Sequence, residues 1–276
     1  MEKVINNFVI DHVLRGIMVD KAGDYMWSIN QITNPSLSVS LSDTSQAVDA
    51  LGTPIAEFDR GRSAEFSAEN SLFDLGLYAA QMGNKKEDAS EKETKAPTFE
   101  EIEVQGTENE TYVLKHIPVN EVEVPTPINS IYLLNEDETL GEIYKYGTQA
   151  SDKEFAFAFD SESNPTSATI TLPTGLKKGD RLLVVYDYMM KSGVTVTADA
   201  INFPKRGKFI MEVLGADVCD QESLVHAYVV FHKAKLDGNV DYSFTTDGTH
   251  PFTIKAMQDY CDKEKKLFTI VVPDEE

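Results

Sequence analysis

The sequence has little cysteine, one tryptophan and far fewer basic than acidic side chains. Its two cysteines, Cys219 and Cys261, allow one disulfide by number. Two thiols this far apart fit a reducing cytoplasm equally well, and we interpret them as reduced structural residues. With 46 acidic against 25 basic residues, the net charge is −21. This charge excludes sequence-independent attraction to phosphate, and it predicts that free subunits repel one another until specific contacts form.

Long apolar runs are also missing. The longest, such as 182–186, are far too short to span a bilayer, so no membrane partner is expected. Residues 1–7 lack a basic region followed by an apolar stretch, which predicts that there is no signal peptide. The 276 residues, 41% of them apolar, can bury the core of one large domain or of two smaller ones.

Motifs for catalysis, metal binding and phosphate binding do not occur. The sequence has no Cys-x-x-Cys, His-Glu-x-x-His, Gly-x-Ser-x-Gly or phosphate-binding glycine loop. Carboxylates are so abundant that chance pairs are expected, and the acidic segment 135–138 lacks the spacing of a calcium loop. We interpret that segment as a hairpin tip. No enzyme activity, catalytic residue, cofactor-binding residue, cofactor or metal site is predicted, and a hydrolase built from spatially assembled carboxylates stays the open alternative.

The five histidines do not indicate a site. His226 and His232 share one face of a predicted strand, but at about 3.3 Å per residue they stand roughly 20 Å apart, too far to share a metal. Asp11 and His12 are adjacent in a strand, so their side chains are expected on opposite faces. The other two histidines are placed in a strand (His116) and in a turn (His250).

Apolar and polar residues alternate with a period of two in many segments, which is typical of β-strands. Segments 37–42 and 225–232 predict half-buried strands by this pattern. Segments 182–188 and 267–272 lack it and are predicted to be buried on both faces. Asp237-Gly238 between two strand-like runs predicts a hairpin. Further alternating segments are 155–159 and 168–172. The chain is therefore predicted to be mainly β.

One helix is predicted between the strands. Asn70 or Ser71 can cap its start, and Gly83 ends it. Its apolar residues recur at helical spacing: Leu72, Leu75, Ala79 and Met82. The face formed by Leu72, Leu75 and Met82 is expected to pack on a sheet that includes Leu37, Val39 and Leu41. A second, shorter helix is predicted over 254–260, with the end of a strand as the alternative.

Residues 84–97 contain no hydrophobic side chain larger than alanine, which predicts a solvated loop or mobile linker. A softer boundary lies near 190–193. The predicted organisation is a main domain split into 1–97 and 190–276, with 98–189 inserted as a small β-sandwich. The alternative is one continuous β domain with a long loop. The compact basic cluster Lys205-Arg206-Gly207-Lys208 is interpreted as a partner for acidic groups on a neighbouring subunit, or as a solvated turn.

The stretch 41–55, with Phe58-Asp59-Arg60-Gly61-Arg62 and the helix up to Gly83 after it, resembles the major tail (tail tube) proteins of long-tailed bacteriophages. The closing segment, 249–273, is similar to the C-terminal end of such proteins. The resemblance covers about half of the chain and leaves out 98–189. It implies a β-sandwich with one flanking α-helix that joins copies of itself into a barrel.

The same resemblance implies hexameric rings stacked into a tube, contacts with other phage tail proteins, and DNA as a non-specific passenger in the channel. The protein would be made in the host cytoplasm and reside in the virion tail. An acidic channel lining would repel DNA phosphate, in agreement with the net charge. Two other classes stay open: a phage head decoration or head–tail joining protein, and a carbohydrate-binding or adhesion module. The latter needs an exposed aromatic platform, whereas Trp27 lies in a strand-like run that favours core packing.

Overall fold

The computed structural model describes residues 8–120, 126–161, 163–218, 220–260 and 263–273. This described chain is mainly β, as predicted, and contains one helix. Cys219 and Cys261 lie outside the described residues. The elements, in chain order, are β1 (Phe8–Val19), β2 (Tyr25–Ile29), β3 (Ile32–Val48), β4 (Pro54–Asn70), α1 (Leu75–Met82), β5 (Glu87–Asp88), β6 (Thr94–Glu103), β7 (Thr111–Val113), β8 (Ser130–Leu134), β9 (Leu140–Tyr146), β10 (Glu154–Phe159), β11 (Ala168–Thr171), β12 (Arg181–Met190), β13 (Val194–Thr195), β14 (Arg206–Asp217), β15 (Asp220–Leu236), β16 (His250–Ala256) and β17 (Phe268–Val271).

The chain divides into two compact units. Residues 1–86 and 196–276 form one, which we call the split unit, and residues 87–195 form the other, which we call the middle unit. Independent folding of the predicted insertion 98–189 stays a prediction.

The split unit is built on one antiparallel sheet in the order β2-β1-β14-β15-β16-β4-β3, with β17 paired to β15. Alternation along β15 buries Ala227, Val229 and Phe231, as the sequence predicts. Phe209 of β14 stacks on Phe66 of β4 with ring centroids 6.2 Å apart, although β15 and β16 lie between their strands in the sheet. The sheet therefore curls around its core, and Trp27 is buried in that core as expected.

The middle unit has a seven-stranded sheet in the order β6-β12-β8-β9-β10-β11-β7 and the small pair β13-β5. Its two edges approach each other at the buried Glu100 of β6. The Glu100 carboxylate accepts a hydrogen bond from the backbone N–H of Lys115, two residues after β7, at 3.2 Å. It also accepts one from the Tyr186 hydroxyl at 2.6 Å. A buried carboxylate must be satisfied in this way, so these bonds help to hold the edges together.

β12 and β17 were predicted to be buried on both faces. β12 is fully buried on one face only, and β17 is fully buried on neither. In β12, Leu182 and Val184 are buried while Leu183 and Val185 are only half-buried, so one face of this strand is covered less completely than the other. β17 has an exposed C-terminal half, because it pairs with β15 alone.

Residues 84–97 were predicted to be a solvated loop or mobile linker, but they contain β5 and the start of β6. β6 begins at Thr94, which pairs with Met190, and the buried Ala89 donates its backbone N–H to the Gly193 carbonyl at 2.9 Å. Strand pairing thus orders a segment that has no large apolar side chain.

The predicted hairpin at Asp237-Gly238 is wrong. β15 ends at Leu236 and its antiparallel partner β16 starts only at His250, so the connection is long. The helix predicted over 254–260 is also wrong, because β16 continues to Ala256 in pairing with β4 and β15. The predicted hairpin tip at 135–138 is confirmed between β8 and β9.

Candidate assembly surfaces

The first candidate surface is the far end of the hairpin formed by β3 and β4. β16 pairs with β4 only along Glu65–Asn70. From the pair Leu41–Arg62 toward the turn, the described pairing of β3 and β4 is only with each other. At about 3.3 Å per residue, the stretch from Leu41 to Val48 reaches on the order of 25 Å. We call residues 45–59 the hairpin end.

Asp49 shapes the turn of this hairpin. Its carboxylate accepts hydrogen bonds from the backbone N–H groups of Leu51 (2.9 Å) and Thr53 (2.8 Å). Gly52 has φ 84°, a left-handed conformation that glycine adopts without a steric penalty. Local sequence therefore determines the tip without support from the rest of the fold.

The hairpin end has two chemically different faces. Its central rows pair without a register shift, so side chains alternate between the faces. Ala56 and Phe58 lie on one face, and Glu57 and Asp59 lie on the other. In these rows, Phe58 therefore points to one side of the ribbon and the two carboxylates point to the other.

Large apolar side chains are exposed at the tip. Leu51 is 91% exposed and Ile55 is 70% exposed, and Val48 and Phe58 are also exposed. Several exposed large apolar side chains on one short hairpin are typical of an interaction site. The hairpin end contains Asp49, Glu57 and Asp59 but no lysine or arginine, so its formal charge is −3, and Arg60 follows directly after it.

The second candidate surface surrounds α1. The helix begins later than predicted: Asp74, not Asn70 or Ser71, is the N-cap, and its carboxylate accepts the Leu77 backbone N–H at 2.8 Å. The start shifts because β4 continues to Asn70, which pairs with His250. The predicted end is confirmed, since Gly83 caps the helix with φ 76°.

The predicted buried face of the helix is wrong for Leu72 and Leu75, whereas Met82 is half-buried and Leu37 packs against the core as expected. Leu77 is fully buried, whereas Leu75 is 41% exposed and Leu72 is exposed. The later start moves Leu72 out of the helix altogether. Val39 and Leu41, which were expected beneath it, are exposed on the hairpin. The residues that α1 buries are Leu77, Ala79 and Gln81.

His250 connects β16 to the start of α1. It is completely buried, in contrast to the turn position predicted for it. Its Nδ1 accepts the backbone N–H of Asp74 at 3.2 Å, and its Nε2 lies 2.8 Å from Gln81 Oε1. Nδ1 must therefore be unprotonated, and Nε2 carries the hydrogen. Burial lowers the pKa of His250, although the Asp74 carboxylate opposes that shift.

A groove runs between α1 and β2, and we call it the α1–β2 groove. It comprises cavities of about 470 and 270 Å³ that share several lining residues. β2 contributes residues to this groove and is an edge strand of the described sheet, so one side of its backbone has no strand partner. The groove is lined by apolar or aromatic side chains, by three lysines and by two carboxylates: Tyr25, Met26, Ala80, Lys85, Lys86, Lys205, Asp20 and Asp74.

His226 and His232, which were predicted to lie too far apart to share a metal, each contact a different partner. His226 Nδ1 lies 2.9 Å from Glu212 Oε1, while His232 Nε2 lies 2.7 Å from Thr269 Oγ1. Across the described residues, no group of three or more His, Cys, Asp or Glu side chains could hold a metal ion.

The side chains of Asp11 and His12 were expected on opposite faces of the strand, but they contact each other. His12 Nδ1 lies 2.7 Å from Asp11 Oδ2, because a register shift between Ile10 and His12 interrupts the regular alternation of β1. Both side chains are exposed, and the contact is interpreted as a local surface pair. His116 lies in a bend instead of the predicted strand and stacks on Tyr188 with ring centroids 4.0 Å apart.

Residues 8–270 match the model of the YomU/Tube protein family, which covers nearly all of the described chain. The chain belongs to the YomU/Tube protein family. A search of curated proteins found no match to it. Membership of the YomU/Tube family supports a phage tail-related, tube-type structural protein, a class that is typically not enzymatic. The helix of eight residues in the described part of the chain is too short to cross a membrane.

Proposed function

We propose that this member of the YomU/Tube family is a virion tail protein that self-assembles into stacked hexameric rings. The rings form the tail tube, contact other phage tail proteins and let DNA pass as a non-specific passenger. The protein acts without catalysis or a cofactor. It is made in the host cytoplasm and resides in the virion tail.

The hairpin end is the observation that carries this proposal. It exposes Leu51, Ile55 and Phe58 on a ribbon that the rest of the described sheet does not cover. Burying such a ribbon against another copy removes apolar surface from water. The long strand β3 also forms one edge of the sheet in the split unit. Strands that join between subunits into a closed barrel leave no such edge exposed.

The net charge supports the passage of DNA. With −21 per subunit, carboxylates are available in excess to line a channel. A surface of this sign repels phosphate and lets a duplex slide without being held. The middle unit is proposed as a decoration that is not needed for the tube wall.

Negative-stain electron microscopy and sedimentation of concentrated protein test the proposal. We expect tubes of uniform diameter from the wild type and none from Leu51→Ser/Ile55→Ser. The matched control is Leu140→Ser/Ile143→Ser, an exposed apolar pair in the middle unit that should leave tubes intact. A wild type that is monomeric at every concentration tested would exclude the tube. Single rings without stacking would favour the head–tail joining class.

A further inference from the structure

We propose that the α1–β2 groove of one copy receives the hairpin end of a second copy of this chain. The inference rests on the proposed self-assembly and names the two surfaces that meet in it. Each surface is described within the split unit, and each is open there.

The groove suits an extended apolar segment. Half-buried Met26 and Tyr25, which is 65% exposed, supply apolar surface along it. The unpartnered side of β2 offers backbone N–H and C=O groups to a further strand. Strand addition at such an edge gains main-chain hydrogen bonds, and side-chain pockets add specificity. The hairpin end is already extended, so it needs little ordering to bind in this way.

Three lysines line the groove beside two carboxylates, Asp20 and Asp74, and both carboxylates accept backbone N–H groups of their own turns. Lys85, Lys86 and Lys205 are exposed, and the ion pairs of the described residues do not use them. Lys205 begins the basic cluster 205–208, whose interpretation as a partner for acidic groups of a neighbouring subunit stays a prediction, with a solvated turn as the alternative. An acidic partner is therefore favoured here, whereas it is repelled by much of the remaining surface.

The hairpin end has the complementary chemistry. Leu51 and Ile55 supply the apolar contact, and Glu57 and Asp59 supply the negative charge, with no cation among residues 45–59. Leu51 and Ile55 lie at the tip, and Glu57 and Asp59 follow Ile55 by two and four residues, so the tip can enter the groove while the carboxylates stay near the lysines.

The partner is a second copy because, within one chain, the hairpin end does not occupy the groove. In the described split unit, the strand pairing of the hairpin end is internal and the groove is open. Two different surfaces of identical subunits make a head-to-tail contact. Such contacts produce rings when the rotation closes and stacks or filaments when it does not.

Charge reversal tests the contact in the full chain. Replacing the lysines (Lys85→Glu/Lys86→Glu) turns attraction into repulsion and should raise the concentration needed for assembly at least about tenfold. Glu57→Lys/Asp59→Lys should do the same. The four changes together should restore assembly to within about threefold of wild type, because the charges are exchanged between the two surfaces and opposite charges again meet. Lys177→Glu/Lys178→Glu, an exposed pair in the middle unit, is the control with no expected effect.

A cross-link provides a readout that does not depend on how the charge variants fold. In a Cys219→Ser/Cys261→Ser background, protein with Leu51→Cys is mixed with protein carrying Tyr25→Cys. We expect a disulfide-linked dimer from this mixture and none when Leu140→Cys replaces Tyr25→Cys. Tubes that form normally after either charge reversal, without the cross-link, would overturn this inference and leave the proposed function standing. A wild type that gives neither tubes nor the cross-link would overturn both.

Discussion

His250 links three parts of the split unit through one neutral ring. Its Nδ1 accepts the N–H of the helix N-cap, and its Nε2 faces Gln81, whose amide in turn donates to the Pro251 carbonyl at 3.0 Å. A proton on Nδ1 would remove the acceptor for Asp74 N–H and leave a charge in the core. The position of α1, and with it one wall of the α1–β2 groove, therefore depends on a histidine that stays neutral.

This dependence predicts a pH effect on stability. The pKa of His250 is lowered below 6.5 in the folded protein, so above pH 6.5 its contribution is fully present. As the pH falls below 6.5, the unfolded chain binds a proton that the folded chain does not, and the free energy of unfolding decreases. We expect His250→Gln to have a flatter profile than wild type between about pH 6.5 and 5 in urea denaturation. Parallel profiles would show that His250 is not the group responsible.

Leu77 is the apolar anchor of the same helix. Truncating it to alanine should lower the free energy of unfolding by about 2–5 kcal/mol, because the side chain is fully buried and leaves a cavity. Leu75→Ala, at a 41% exposed site two residues away, should change it by under about 0.5 kcal/mol. Chemical denaturation midpoints of the two variants make the comparison. Equal losses would mean that the helix packs by a different face.

At the scale of elements, residue alternation predicts strands well where one face is buried. β15 follows its pattern at Ala227, Val229 and Phe231 because the face that carries them packs in the core of the split unit. The helix was predicted too early because Leu72 and Leu75 fit a helical period, while the pairing of Asn70 with His250 is a long-range contact that no local pattern reveals. The predicted strand at 37–42 lies within β3, but the continuation of β3 and β4 into the hairpin end was not predicted, because residues 45–59 lack a sustained alternation of apolar and polar side chains.

The middle unit yields a prediction at the same scale. It has its own core, including Ile131, Phe155 and Leu182, and its edges meet at Glu100. We expect residues 87–195 to fold when produced alone, with a cooperative thermal transition and dispersed amide resonances. The split unit should also fold and still form tubes when a short Gly/Ser bridge replaces residues 87–195. Loss of structure in either piece would show that the two units depend on each other for stability.

At the scale of the whole molecule, charge acts on assembly in two opposite ways. Each subunit carries −21, so copies repel one another at distances beyond direct contact. The proposed contact between the hairpin end and the lysines is attractive but short-ranged. Groups that are partly withdrawn from water at such a contact are screened by salt less than exposed charges are.

Assembly should therefore strengthen as salt is added. The Debye length falls from about 30 Å at 0.01 M to about 8 Å at 0.15 M, which removes most of the repulsion between approaching subunits but little of the close contact. Sedimentation velocity at fixed protein concentration should show a growing assembled fraction over this range. The Glu57→Lys/Asp59→Lys variant has lower net repulsion but a broken contact, so it should remain unassembled throughout. If that variant assembled more readily than wild type at low salt, global repulsion alone would control tube formation, and the hairpin carboxylates would have no specific role.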